Sequence, residues 1–140
     1  MKKIILLLAV LTSLTIVSKA QSSIEVTIKE IRAVKGSIRV AIYNNDESFL
    51  KTPLDGKIVK VASTEAVVVF ENLKPGEYAI SVVHDENDNG ELDKNMMGIP
   101  KEGFAFGNNA TGMFGPPDFS KAKVKVDGAK VNQVINLNYM

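Results

Sequence analysis

From Ile24 onward the chain alternates. Ile24, Val26 and Ile28 are separated by Glu25, Thr27 and Lys29, and Ile38, Val40 and Ile42 by Arg39, Ala41 and Tyr43. In an extended chain a period of two puts successive side chains on opposite faces, so each run predicts a strand with one buried face. Residues 57–61 and the β-branched run 66–71 predict two more, and Tyr78, Ile80 and Val82 mark the next. Val124 and Val126, then Val131, Ile135 and Leu137, predict a closing hairpin around Asp127-Gly128, a favoured turn pair. Leu73-Lys74-Pro75-Gly76-Glu77-Tyr78 predicts a rigid turn leading into a strand, with Pro fixing φ and Gly allowing the reversal. No segment after residue 20 carries a 3.6-residue apolar stripe. About seven short strands joined by polar turns predict an all-β fold. A β-sandwich is expected, because two sheets can cover each other's apolar faces.

Residues 98–119 break the alternation. Gly98, Gly103, Gly107, Gly112 and Gly115, with Pro100, Pro116 and Pro117, predict a long irregular loop. Ile99, Phe104, Phe106, Met113, Phe114 and Phe119 recur through it, whereas disordered segments are poor in aromatics. The expectation is an ordered, Ω-like excursion clamped to the sandwich by its rings. Phe104, Phe106, Asn108, Asn109 and Phe114, with His84 nearby in sequence, make up its candidate ligand surface.

The N-terminus reads differently. Lys2 and Lys3 precede an apolar run from Ile4 to Leu11, and Ser18-Lys19-Ala20 places small residues before a cut at Gln21. This predicts a bacterial export signal over residues 1–20 and a single domain over 21–140, with no membrane span once the signal is removed. Of 17 basic residues, Lys2, Lys3 and Lys19 leave with the signal, so 14 face 16 acidic ones, a net charge of −2. Nothing in that balance favours nucleic acid. With no Cys there are neither disulfides nor thiolate chemistry, so the fold must rest on packing, with or without a bound ion. The expected location is the periplasm, the cell surface or the medium.

One turn carries candidate chemistry. Asp85, Asn87, Asn89 and Asp93 stand at positions one, three, five and nine of a loop with Gly90 at six. Short side-chain oxygens at alternate positions, closed by a glycine, are the front half of a calcium loop. The candidate ligands for Ca2+ are Asp85, Asn87, Asn89, Glu91 through its backbone, and Asp93. Position twelve, a bidentate Glu in an EF-hand, is Met96 here, and no flanking helix is predicted, so an EF-hand is not expected. Asp118, Glu102 or loop carbonyls could complete the shell. The competing reading is a solvated turn, since Asn, Asp and Gly are also favoured turn residues.

His84 is the only histidine, and it continues the inward face of Tyr78, Ile80 and Val82. That predicts a buried, hydrogen-bonded ring at the strand end. A lone His without Cys builds no ordinary zinc site. No Gly-x-Ser-x-Gly turn accompanies it, and Ser81 points to the other face of its strand. No catalytic residues are expected.

His84-Asp85-Glu86-Asn87-x-Asn89-Gly90-x-Leu92-Asp93, then Gly98-Ile99-Pro100-Lys101-Glu102-Gly103-Phe104-x-Phe106-x-Asn108-Asn109-Ala110, then Phe114-Gly115-Pro116-Pro117-x-Phe119, closely resemble family 2141 of domains of unknown function. That resemblance spans nearly all of residues 21–140. It implies a small exported bacterial protein of one domain, and it implies no activity. More loosely, Leu73 to Tyr78 resembles the prealbumin-like and carboxypeptidase-regulatory-like sandwiches. Calcium-binding B-type repeats of bacterial surface proteins are similar there and at the Asp/Asn turn. The transthyretin-related hydrolases share such a fold but rely on several histidines and a Tyr-Arg-Gly-Ser tail. This chain has one His and ends Asn138-Tyr139-Met140. The leading expectation is therefore a non-enzymatic binding or structural module with a calcium-stabilised turn, its partner an envelope protein or a small ligand. The alternatives are a periplasmic carrier of a small apolar ligand held under Phe104 and Phe106, and a hydrolase using His84.

Overall fold

The computed structural model describes residues 22–140. The export signal expected over residues 1–20 lies outside the described residues. Eight strands follow: β1 (Ser22–Lys29), β2 (Ser37–Tyr43), β3 (Asp55–Lys60), β4 (Ala66–Leu73), β5 (Gly76–Asp85), β6 (Gly103–Phe106), β7 (Lys123–Val126) and β8 (Lys130–Asn136). A single helical turn, α1 (Phe119–Ala122), precedes β7. Among the described residues no helix is long and apolar enough to cross a membrane.

The strands form two sheets, as an all-β sandwich requires. One has the order β4-β1-β8. The other has the order β3-β2-β5-β6, and β7 shares the β6 edge of β5. Along that edge Gly76 to Ala79 pair with β7 and Ser81 to His84 with β6. The alternation seen in the sequence is the burial pattern of the sandwich. Ile24, Val26 and Ile28 of β1 face Ile38, Val40 and Ile42 of β2 and Ile80 and Val82 of β5, all at most 1 % exposed. Each such side chain stabilises the fold by about 1.5–3 kcal/mol.

Three expectations are corrected. The Asp127-Gly128 turn does not close a hairpin. β7 pairs antiparallel with β5 in one sheet, while β8 runs parallel to β1 in the other, from Ser23↔Lys130 to Lys29↔Asn136. The turn instead carries the chain across the sandwich, with Gly128 at φ +71° and its N–H donated to Ser22 Oγ at 2.9 Å. Period two reports which face is buried, and Val126 and Ile135 are both buried, but from opposite sheets.

The glycine-rich stretch is not free of strand either, because Gly103–Phe106 forms β6. Nor do all its rings clamp it. Phe119 is buried and Phe104 and Phe106 are half-buried, but Met113 and Phe114 are 90 % and 100 % exposed. The loop is anchored largely by polar groups. Asn108 Nδ2 donates to the carbonyls of Lys121 and Lys123 at 3.1 and 2.8 Å. Asn109 Nδ2 donates to Val134 O at 2.9 Å, and its Oδ1 accepts the Asn136 N–H at 2.8 Å. Asn109 thus satisfies backbone groups on the outer edge of β8, which a sheet edge otherwise leaves open. Both asparagines act as fasteners of the loop.

A second apolar cluster sits on the outer face of the five-stranded sheet: Tyr43, Phe49, Ala79, Phe119 and Ala122, with Phe106, Ala41 and Ala110 packed against it. The Phe49 ring lies at its centre, edge-on to Tyr43 at 5.3 Å, to Phe119 at 5.9 Å and to Phe106 at 6.4 Å. The space beside Phe106 is therefore filled.

Candidate functional site

β5 extends three residues beyond Val82, and His84 and Asp85 are both 0 % exposed, His84 on the core face and Asp85 on the other, beneath the turn that follows. The chain between β1 and β2 passes tightly beneath them. At Gly36 φ is +67°, and an added Cβ would lie 2.0 Å from the Asp85 carbonyl oxygen. Only glycine serves there.

From this buried strand end the Asp/Asn turn is built by side chains that accept backbone N–H groups. Asp85 Oδ1 accepts from Asn89 at 3.1 Å and Oδ2 from Gly90 at 2.8 Å. Asn87 Oδ1 accepts the Asn89 N–H at 3.2 Å, and Asn89 Oδ1 that of Glu91 at 3.0 Å. With their oxygens so held, the two amides turn their nitrogens on Asp93. Asn87 Nδ2 donates to Asp93 Oδ2 at 2.7 Å and Asn89 Nδ2 to Oδ1 at 2.9 Å. Glu102, only 4 % exposed, reaches in from the start of β6 and accepts the N–H groups of Glu86 and Asp93 at 2.8 and 3.1 Å.

The structure thus brings Asp85, Asn87, Asn89, Glu91, Asp93 and Glu102 to one turn. Asp118 instead starts α1, where its carbonyl accepts the N–H groups of Lys121 and Ala122. Among the described residues no three acidic or histidine side chains converge as a metal-holding group. The carboxylates of Asp85 and Asp93 already receive protein N–H donors. Calcium fits this turn only if Asn87 and Asn89 release Asp93, because their NH2 groups occupy the side an ion would approach.

His84 is held at both ring nitrogens. Lys35 O lies 2.9 Å from Nε2, and Tyr139 Oη 2.8 Å from Nδ1. A carbonyl can only accept, so Nε2 carries the hydrogen in the neutral ring and Nδ1 accepts from the Tyr139 hydroxyl. That hydroxyl in turn accepts the Arg32 N–H at 3.2 Å, and the Arg32 guanidinium stacks on the Tyr139 ring at 4.4 Å. Burial raises the Tyr139 hydroxyl above its ordinary pKa, partly offset by the Arg32 N–H bond.

Arg32 also donates from Nε to Glu86 at 2.8 Å, and Lys35 Nζ lies 2.8 Å from the other Glu86 oxygen. Burial pushes the Glu86 carboxyl up, but the hydrogen bonds and charges of Lys35 and Arg32 outweigh it and leave it below the ordinary value. Asp88 is drawn down by its hydrogen bond to Lys60 and stands outside this network. Glu86 and Asp88 are therefore held by separate cations. The arrangement is a latch that ties the C-terminus to the strand end and leaves no open base. Arg32, Lys35 and Tyr139 are scattered in sequence, and no local pattern marks them.

Among the concave places of the described residues, one of about 520 Å³ is lined by Lys29, Glu30, Ile31, Arg32, Thr64, Glu65, Leu137 and Tyr139. Of its charged groups, Lys29 pairs with Glu65 at 3.4 Å and Arg32 with Glu86.

Another, of about 330 Å³, lies on the outer face of the five-stranded sheet. Pairing sets Gly56, Ala41 and Ser81 side by side across β3, β2 and β5. These three small residues floor a trough. Ile58, Arg39 and Val83 form the neighbouring row, and Tyr43 and Pro53 close the other side. Ile58 is 60 % exposed, a large apolar side chain left open to water beside half-buried Ala41 and Val83. The Tyr43 hydroxyl and Ser81 Oγ, 3.3 Å apart, supply polar groups at the floor. The carrier expectation placed a cavity under Phe104 and Phe106. The concavity instead lies across β5 from them, because Phe49 and Phe119 fill the Phe106 side. Arg39, Ala41 and Tyr43 alternate with the core positions of β2, so the sequence already set a small residue between a cation and a ring on the outward face.

The class defined by these features is an all-β sandwich with a self-fastened acidic turn and an open apolar trough on one sheet. The pattern of the uncharacterised proteins conserved in bacteria, domain of unknown function 2141, matches residues 26–134, and the chain belongs to that family. No curated protein and no solved structure matches it.

Proposed function

We propose that this protein is an exported binding module without a catalytic centre, and that its binding element is the outer-face trough, which takes a small apolar ligand. The observation that carries the reading is the trough itself. About 330 Å³ of concave surface, floored by Gly56, Ala41 and Ser81 and walled by Ile58, Val83 and Tyr43, is left uncovered beside the aromatic cluster that packs part of the same face. Ligand sites are concave, mostly apolar and furnished with a few polar groups. Against a hydrolase stands His84, which is 0 % exposed with both nitrogens engaged. Export is supported by the basic, apolar and small-residue order of residues 1–20.

The test uses the fluorescent apolar probe N-phenyl-1-naphthylamine. A Cβ added at Gly56 has ordinary space, its nearest neighbour being Val40 O at 3.7 Å, so Gly56→Val is the substitution chosen to fill the trough. The native protein should enhance probe fluorescence saturably, and Gly56→Val should weaken probe binding at least tenfold at an unchanged melting midpoint. Equal binding by both proteins would refute the assignment.

A second proposal concerns the turn. Side-chain oxygens of Asp85, Asn87 and Asn89 stand in the same turn as the Asp93 carboxylate and support weak calcium binding once the two amides release Asp93, because an oxygen that accepts one N–H keeps a second lone pair. Such a site would stiffen the turn; it has no role in the trough.

A further inference from the structure

Two charged residues line the trough, Arg39 and Lys57. Arg39 stands in its wall, in the row Ile58–Arg39–Val83. Its guanidinium makes no hydrogen bond to another described residue, and its ionic partner, Asp85 Oδ2, lies 3.7 Å away, beyond hydrogen-bonding reach. Both Asp85 oxygens accept backbone N–H groups instead. Of the other charges nearby, Asp88 pairs with Lys60 and is also drawn down, more weakly, by the Arg39 charge. The Lys57 ammonium lies 5.8 Å from the Phe70 ring, on the core side of β3. No acidic side chain lines the trough. From Arg39 to Tyr43 the strand advances about 13 Å, at roughly 3.3 Å per residue.

Resting on the reading above, we propose that the occupant is a free single-chain amphiphile with a carboxylate head. The head sits on Arg39, whose planar fork matches a carboxylate. The alkyl chain crosses the Gly56–Ala41–Ser81 floor toward Tyr43, a span that suits a chain of roughly ten carbons at that strand rise. A guanidinium with unused N–H groups at one end of an apolar surface discriminates by head group, while the floor selects only for a slim apolar body.

The experiment compares decanoate with decanol, both below their aggregation limits, on the native protein, Arg39→Gln and Gly56→Val, by calorimetric titration. The native protein should bind decanoate at least tenfold tighter than decanol. Arg39→Gln should bring decanoate down to decanol without weakening decanol, and Gly56→Val should lose both. If native protein binds the two equally and Gly56→Val loses both, the trough stands and the carboxylate assignment is overturned. If Gly56→Val binds both as the native protein does, the trough reading falls, and this one with it.

Discussion

At the scale of single residues the molecule spends its polar side chains on fastening. Glu86 shows this most directly. Its folded pKa is depressed, so its contribution is present above the ordinary glutamate value of 4.5 and is lost as pH falls through the lower, folded value. Arg32 and Lys35 are 44 % and 58 % exposed, and solvent screens the pair accordingly. Glu86→Gln should therefore remove only about 1 kcal/mol near neutral pH. Denaturant midpoints measured from pH 7 to pH 3 should converge for the two proteins as the acid limb is reached. A difference that stays constant across that range would show that Glu86 acts through packing, not charge. His84 was legible in part. Period two placed it inward, but its partner Tyr139 stands 55 positions away and carries no local mark.

At the scale of elements, alternation located β1, β2, β3, β4, β5, β7 and β8 because each buries one face. It was silent about pairing. Val124, Val126, Val131 and Ile135 look the same whether two strands share a sheet or face each other across a core. β6 was hidden because Gly103, Phe104, Ala105 and Phe106 include a glycine where strands usually carry a side chain. That glycine has a reason: a Cβ at Gly103 would lie 2.5 Å from the Tyr139 ring.

The Asp/Asn turn was legible as a unit, but its internal hydrogen bonds were not. They set the test of the calcium proposal. Binding at ten times the dissociation constant adds about 1.4 kcal/mol. For a domain of this size that raises the melting midpoint by roughly 3–6 °C. Calcium should raise the midpoint by that amount and chelator should reverse it. A midpoint unmoved by either would leave the turn held by Asn87, Asn89 and Asp93 alone.

At the scale of the whole molecule, two sheets were legible from the count of half-buried strands, since each needs a cover. Which outer face stays open was not, because it depends on where the long loops return. Phe49 and Phe119 cover one half of the five-stranded sheet, and the other half keeps its trough. The three-stranded sheet differs: β1 presents Glu25, Thr27 and Lys29 outward between its neighbours, and Lys130 pairs with Glu25 at 2.6 Å. That face also exposes Val67 and Val134 on either side of Thr27, so both outer faces mix polar and apolar groups, and what sets the five-stranded sheet apart is its concavity.

The most direct measurement is a backbone amide chemical-shift titration of residues 21–140 with decanoate. The account predicts saturable shifts centred on Arg39, Ala41, Tyr43, Gly56, Ile58, Ser81 and Val83, with the amides of β1 unmoved. Shifts absent there, or confined to the exposed Met96–Met97 and Met113–Phe114 segments, would contradict it.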